Sequence, residues 1–91
     1  MITIAGTQND PRPQIRTLER FIGRDIPVTV TAYNRDKVAW KISRKHRYCD
    51  FPVVYCTDQD GNVFHSWSGY DPEEIDQAIA GRFYDPPVLS S

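Results

Sequence analysis

The groups best suited to nucleophilic, redox or metal chemistry in this 91-residue chain are two thiols and two imidazoles: Cys49, Cys56, His46 and His65. A thiol reacts as its thiolate, which a neighbouring cation, a helix N-terminus or a metal stabilises. Cys49 follows His46 and Arg47, whose charge favours the thiolate. Cys56 ends the apolar run Phe51-Pro52-Val53-Val54-Tyr55-Cys56 and reads as a small buried hydrophobe. A Cys49–Cys56 disulfide is not expected, because a strand between them would hold the sulfurs beyond bridging distance. His46 and His65 lack a matching cysteine pair, so no metal site is expected. His65 alternates with Val63 and Trp67 and reads as a packed or rim histidine. No glycine-rich phosphate loop or serine-nucleophile elbow occurs.

A second chemistry-bearing group is cationic. Arg35, Lys37, Lys41, Arg44, Lys45 and Arg47 cluster together, with Trp40 and Tyr48 as candidate stacking surfaces. They belong to a wider asymmetry. Residues 1–47 carry ten basic and four acidic side chains, a net +6, whereas residues 48–91 carry one basic and eight acidic, a net −7. Such a dipole can steer a charged partner, or it can be two solvated faces. The isoelectric point near 6.0 argues against a dedicated nucleic-acid binder, and the cations suit an acidic protein surface equally well.

The elements that must position these groups follow from patterning. At this length there is room for one domain, and with two cysteines its stability must come from a packed core. A mean hydropathy of −0.55 and the lack of an apolar run near the roughly 20 residues of a spanning helix exclude a transmembrane segment. Residues 2–6 lack a basic leader and an apolar signal core, so a cytoplasmic location is expected. Residues 2–7 read as a buried strand. A turn rich in Asn and Pro then feeds a helix capped by Asn9 or Asp10, with Ile15, Leu18, Phe21 and Ile22 inward and Gly23 as its stop. Pro27 opens a second strand, in which Val28, Val30 and Ala32 alternate with Thr29, Thr31 and Tyr33. Asn34 or Asp36 caps a second helix over 37–46, with Val38, Ala39 and Ile42 on its inner face. Phe51 to Cys56 is a central strand, residues 58–62 a hairpin turn and 63–67 the returning strand. Asp71-Pro72-Glu73-Glu74 is a capping box opening a helix with Ile75, Ala78 and Ile79 inward and Gly81 as its end. The order is β-α-β-α-β-β-α, a domain over residues 1–81 followed by an extended, partly disordered tail over 82–91. Strands joined through helices are expected to pair in parallel, with the hairpin adding an antiparallel edge.

This order, with a proline opening the third strand and a glycine turn before the last helix, resembles the glutaredoxin branch of the thioredoxin superfamily over about residues 2–81. The resemblance rests on Asp50-Phe51-Pro52-Val53-Val54-Tyr55-Cys56, then Asp60-Gly61-Asn62-Val63-Phe64 and Ser68-Gly69-Tyr70-Asp71. It implies a minimal thioredoxin-like α/β fold, a four-stranded mixed sheet with helices on both faces and the first and third strands adjacent. It also implies a cis Phe51–Pro52 bond, a state adopted by roughly 5–6% of X-Pro bonds in folded proteins. Glutaredoxins carry Cys-Pro-Tyr-Cys, or a one-cysteine version, where the first strand meets the first helix. Counting from Gly6, this chain has Asp10-Pro11-Arg12-Pro13 instead.

The resemblance therefore implies a binding groove formed by Asp10, Arg12, Cys49, Phe51, Pro52, Gly69, Tyr70 and Asp71, without the dithiol. The expected function is a non-redox binding or adaptor module for a protein partner, of bacterial or phage origin, with no obligatory cofactor. The alternative is a glutathione-dependent oxidoreductase acting through Cys49, with glutathione in the groove. A third reading is weak nucleic-acid binding through the basic second helix.

Overall fold

The computed structural model of the protein describes residues 1–7 and 11–80. Its elements are β1 (Ile2–Gly6), α1 (Arg12–Ile22), β2 (Val28–Ala32), a 3-10 turn (Tyr33–Arg35), α2 (Lys37–His46), β3 (Val53–Thr57), β4 (Val63–Ser68) and α3 (Pro72–Ile79). They build one sheet in the order β2-β1-β3-β4. The fold is thioredoxin-like, and the Phe51–Pro52 bond is cis.

β1 and β2 pair in parallel, but β3 runs antiparallel to β1, which corrects the expectation that every helix-linked strand pairs in parallel. The cause is where each connection begins and ends. α1 carries the chain from Gly6 back to Val28, beside Ile2 at the opposite end of the sheet. β2 ends at Ala32, beside Gly6, and β3 starts at Val53, beside Ala5. The connection through α2 and residues 47–52 thus returns to the end it left, and β3 must run the other way.

Side-chain alternation splits the interior in two. Ile2, Ile4, Val54, Cys56 and Trp67 face α1 and α3, where Phe21, Ile75 and Ala78 close a wholly apolar cluster. Ala5, Val53 and Tyr55 face α2 and meet Ala39 and Ile42. Helix registers differ from the expected ones. In α1 the buried residues are Thr17 and Phe21, while Ile15 and Ile22 are about half exposed. Burial of Thr17 is tolerated because its Oγ1 donates to Pro13 O at 2.8 Å. The large Phe21 ring then sets the rotation of the helix. In α2, Val38 is exposed and Ser43 buried, since Ser43 Oγ bonds both Trp40 O and the Tyr33 hydroxyl.

The caps divide similarly. α1 has Pro11 at its N-cap and no side-chain cap; the expected caps Asn9 and Asp10 lie outside the described residues. Asp36 caps α2, its Oδ1 accepting from Val38 N–H at 3.0 Å and Ala39 N–H at 3.1 Å. Asp71 caps α3 by accepting from Glu74 N–H at 3.2 Å. The Glu74 carboxylate turns instead to His65 Nε2, 2.5 Å away. α3 ends at Ile79 with Ala80 as its C-cap; Gly81 and the tail over 82–91 fall outside the described residues. Among those residues no helix is long and apolar enough to cross a membrane.

Candidate functional site

A groove of about 620 Å³ opens at the end of the sheet where β1 stops and β3 starts. Thr7 from the end of β1 and Pro13 from the first turn of α1 form one wall. Cys49, Asp50 and Phe51, which lead into β3, form a second. The turn from Ser68 to Asp71, between β4 and α3, forms the third. Pro52 is buried behind this lining, with its carbonyl accepting from Gly69 N–H at 2.8 Å, so the loop before β3 and the turn before α3 are fastened together.

Local chemistry explains each wall. Gly69 has φ +77°, the left-handed region that glycine enters without a Cβ clash. An added Cβ would also come within 3.2 Å of Asp50 Cβ. Gly6 lets the Gln14 side chain lie across the end of β1, where a Cβ would overlap the amide. The Phe51 ring meets Tyr33 edge-on, with centroids 4.9 Å apart. The Arg16 guanidinium lies 5.9 Å from the centre of the Tyr70 ring.

Of the sequence-derived groove residues, the structure brings together Cys49, Phe51, Gly69, Tyr70 and Asp71; Pro52 is fully buried and is not part of the lining. Arg12 is exposed at the start of α1 and is not part of the lining, and Asp10 lies outside the described residues. Thr7, Pro13, Asp50 and Ser68 were not expected there. Pro13, Asp50 and Ser68 each flank a position that was, Thr7 does not, and only the close approach of three separate segments reveals them.

The two thiols differ as their sequence contexts imply. Cys49 is exposed, and its Sγ lies 3.6 Å from Arg47 O. Cys56 is fully buried, and burial pushes its thiol up to about 11. Asp50 and Asp71 give the mouth of the groove a negative edge, and the Asp71 carboxylate takes up the Glu74 amide of the α3 N-terminus. Among the described residues no three His, Cys, Asp or Glu side chains converge as a metal site would require.

The six basic residues remain on the surface around α2, on the opposite side of the sheet from the acidic α3. Trp40 is half exposed, with the Arg44 guanidinium 4.8 Å from its ring centre. Tyr48, the other expected stacking surface, already makes contacts within the chain. Its ring lies on His46, centroids 5.2 Å apart, and its hydroxyl bonds Ser66 Oγ at 2.9 Å.

No protein-family model matches the chain, and no curated protein matches it. Among solved structures it is similar to NrdH-redoxin from Escherichia coli, described as a glutaredoxin-like protein with a thioredoxin-like activity profile. The two share 26% identity over 84% of this chain and 91% of that one, with a TM-score of 0.62. The shared fold is that of the thioredoxin superfamily.

Proposed function

We propose that this chain is a glutaredoxin-like binding module that holds an extended segment of a protein partner in the groove beside Pro52 and performs no dithiol exchange. One observation carries the reading: three segments of the chain line the groove, yet residues 1–48 contain no cysteine, so neither the β1–α1 junction nor α1 can present a thiol to it. Dithiol exchange needs an attacking thiolate and a second sulfur to resolve the mixed disulfide. Cys56, the other sulfur, is buried in the sheet. What the groove offers is shape, the Phe51 and Tyr70 rings and a negative rim. It therefore suits a segment free of acidic side chains.

Glutathione fits this rim less well. Its carboxylates would approach Asp50 and Asp71, and the Glu74 amide at the helix start already has Asp71 as its partner. A second reading is favoured by the exposed position of Cys49 on the groove wall. In it, the Cys49 thiolate attacks the glutathione sulfur of a mixed disulfide between glutathione and another thiol, that thiol leaves as its thiolate, and a Cys49–glutathione disulfide forms. A further glutathione thiolate then attacks the glutathione-side sulfur, regenerating Cys49 and glutathione disulfide.

Glutathione-dependent reduction of a glutathione mixed disulfide, measured with wild type and Cys49→Ser, separates the two. The binding module shows no turnover in either protein. Turnover lost in Cys49→Ser establishes the enzyme. Affinity capture from the native host with wild type and Cys49→Trp, which fills the groove from an exposed loop, tests the binding itself. A partner retained equally by both proteins sinks the groove as its site.

A further inference from the structure

We infer that the chain pairs with a second copy of itself along the outer edge of β2, joining two sheets into one across a two-fold axis. β2 has β1 on one side and no strand on the other, so one row of its backbone donors and acceptors is open to an incoming strand. Its residues, Val28-Thr29-Val30-Thr31-Ala32, include no charge and no proline, and they pair with β1 without a register shift. The opposite edge differs, because a shift beside Thr57 interrupts the pairing of β4 with β3. Apolar surface extends from the β2 edge onto α1. Thr17 and Phe21 turn one side of that helix to the sheet, and Arg20 reaches from a second side to Asp76 of α3. At about 100° per residue, Ile15 and Ile22 lie together on the flank opposite Arg20, away from α3 and toward the β2 edge. These two residues, whose spacing predicted an inner face, are 48% and 58% exposed, and Val30 is 44% exposed. A second copy gives all three the burial that the fold does not.

Symmetry fixes how the copies meet. A two-fold axis perpendicular to the sheet keeps each face on its own side, and full overlap of the five-residue strand centres that axis on Val30. Val30 then pairs with Val30, Val28 with Ala32 and Thr29 with Thr31. Val28, Val30 and Ala32 stand beside Ile2, Ile4 and Gly6 in the sheet and so share the face covered by α1. The two Val30 side chains therefore meet on the side where the α1 flanks bring Ile15 and Ile22. Thr29 and Thr31 meet on the α2 face, and the paired strands bury no charge. Beyond the ladder, Asp25 and Arg35 lie five residues before and after Val30, and both are exposed. The same two-fold sets Asp25 of each copy toward Arg35 of the other. Opposite charges at symmetry-related positions favour self-pairing over an unrelated strand. None of these residues lines the groove beside Pro52, so pairing leaves both grooves open and is independent of what they hold.

Sedimentation equilibrium of the full chain tests the pairing, with a dimer expected whose population rises with concentration. Val30→Lys, a change at an exposed position, sets two ammonium groups face to face at the axis and weakens the dimer about tenfold or more. Ile22→Glu removes apolar contact from the α1 flank and weakens it about fivefold. Both variants keep the far-UV circular dichroism of the wild type. Crosslinking reads the register, in a Cys49→Ser background so that the introduced thiol is the exposed one. Val30→Cys places two thiols directly opposite, within the roughly 4.4–6.8 Å between Cα atoms that a disulfide spans, and gives a covalent dimer under mild oxidation. Thr29→Cys does not, because a strand spacing of about 4.8 Å and an offset of two residues hold its Cα atoms about 8 Å apart. A monomer at every concentration, a dimer that Val30→Lys leaves intact, or crosslinking of Thr29→Cys as readily as of Val30→Cys would each overturn the inference.

Discussion

On the side of the sheet covered by α1 and α3, the interior is an apolar cluster centred on Phe21, and the helices are tied outside it by an exposed Arg20–Asp76 pair at 2.9 Å. On the α2 side, fewer apolar residues are buried and hydroxyls organise the packing. Asp36 Oδ2 accepts from Tyr55 Oη at 2.7 Å and Thr31 Oγ1 at 3.1 Å, Tyr33 bonds Ser43, and Tyr48 bonds Ser66. The first side is held by transfer of apolar area from water, which is indifferent to pH. The second adds directional bonds to a smaller apolar cluster, and two hydroxyls and two amides of them converge on the Asp36 carboxylate. The more polar side is also the one that carries the exposed cations and Trp40.

The largest expected effect tests the apolar side. Phe21→Ala should cost about 3–5 kcal/mol in denaturant unfolding, the usual range for an emptied aromatic site. A loss near 1 kcal/mol would mean that the cluster collapses around the gap and is looser than its burial implies. On the other side, Asp36→Ala removes a helix cap and the acceptor for two hydroxyls. It should cost about 3 kcal/mol. If it costs less than a third of that, the hydroxyl network is an ornament on an apolar core.

Acid and alkali sharpen the contrast further. Burial alone would raise the Asp36 pKa, but bonds from Tyr55, Ala39, Thr31 and Val38 outweigh it and hold the carboxyl below its ordinary 3.8. Its contribution is present above that value and is lost as pH falls through the lower folded one. Tyr55 is pushed up to about 12, first by burial and then by its bond to Asp36. The stability linked to it is present below about 10 and is lost as pH rises toward 12. Urea midpoints measured against pH should fall at both ends, and Asp36→Ala should flatten the acid limb. On the apolar side Cys56 adds a loss between its ordinary 9.0 and about 11, so an alkaline fall that survives Tyr55→Phe belongs to the thiol.

The smallest effect concerns Trp67, whose indole N–H is buried without a hydrogen-bond partner among the described residues. Trp67→Phe deletes that donor along with part of the ring. The relief of an unsatisfied group and the lost volume should offset to within about 1 kcal/mol. A much larger loss would show that the indole shape, and not only its apolar area, organises the cluster.

Local patterning made most elements legible: the alternation in β2, the apolar run of β3, the Asp-Gly hairpin and the two aspartate caps at Asp36 and Asp71. The cis Phe51–Pro52 bond and the adjacency of β1 and β3 came from the family resemblance, since neither is encoded in periodicity. The buried faces of α1 and α2 were read correctly at Leu18, Phe21, Ala39 and Ile42 but misread at Ile15, Ile22 and Val38, because apolar spacing cannot foresee that Thr17 and Ser43 satisfy their hydroxyls on nearby carbonyls. The direction of β3 depends on where two connections end, which single-strand patterns do not contain. Half of the groove was visible as the loops that flank Pro52 and precede α3. Thr7, Pro13 and Ser68 joined it only through the way the chain closes on itself.

Gly69 sets the width of that groove by what it lacks. Its positive φ costs another residue roughly 1–2 kcal/mol, and a single added carbon would stand 3.2 Å from Asp50 Cβ. The approach of the turn to the loop before β3 is thus set by one missing methyl group, next to Tyr70, which packs against the larger core cluster. Any other residue here would have to displace Asp50 slightly as well as bear that strain, so the spacing between two of the groove's walls is fixed at this one position.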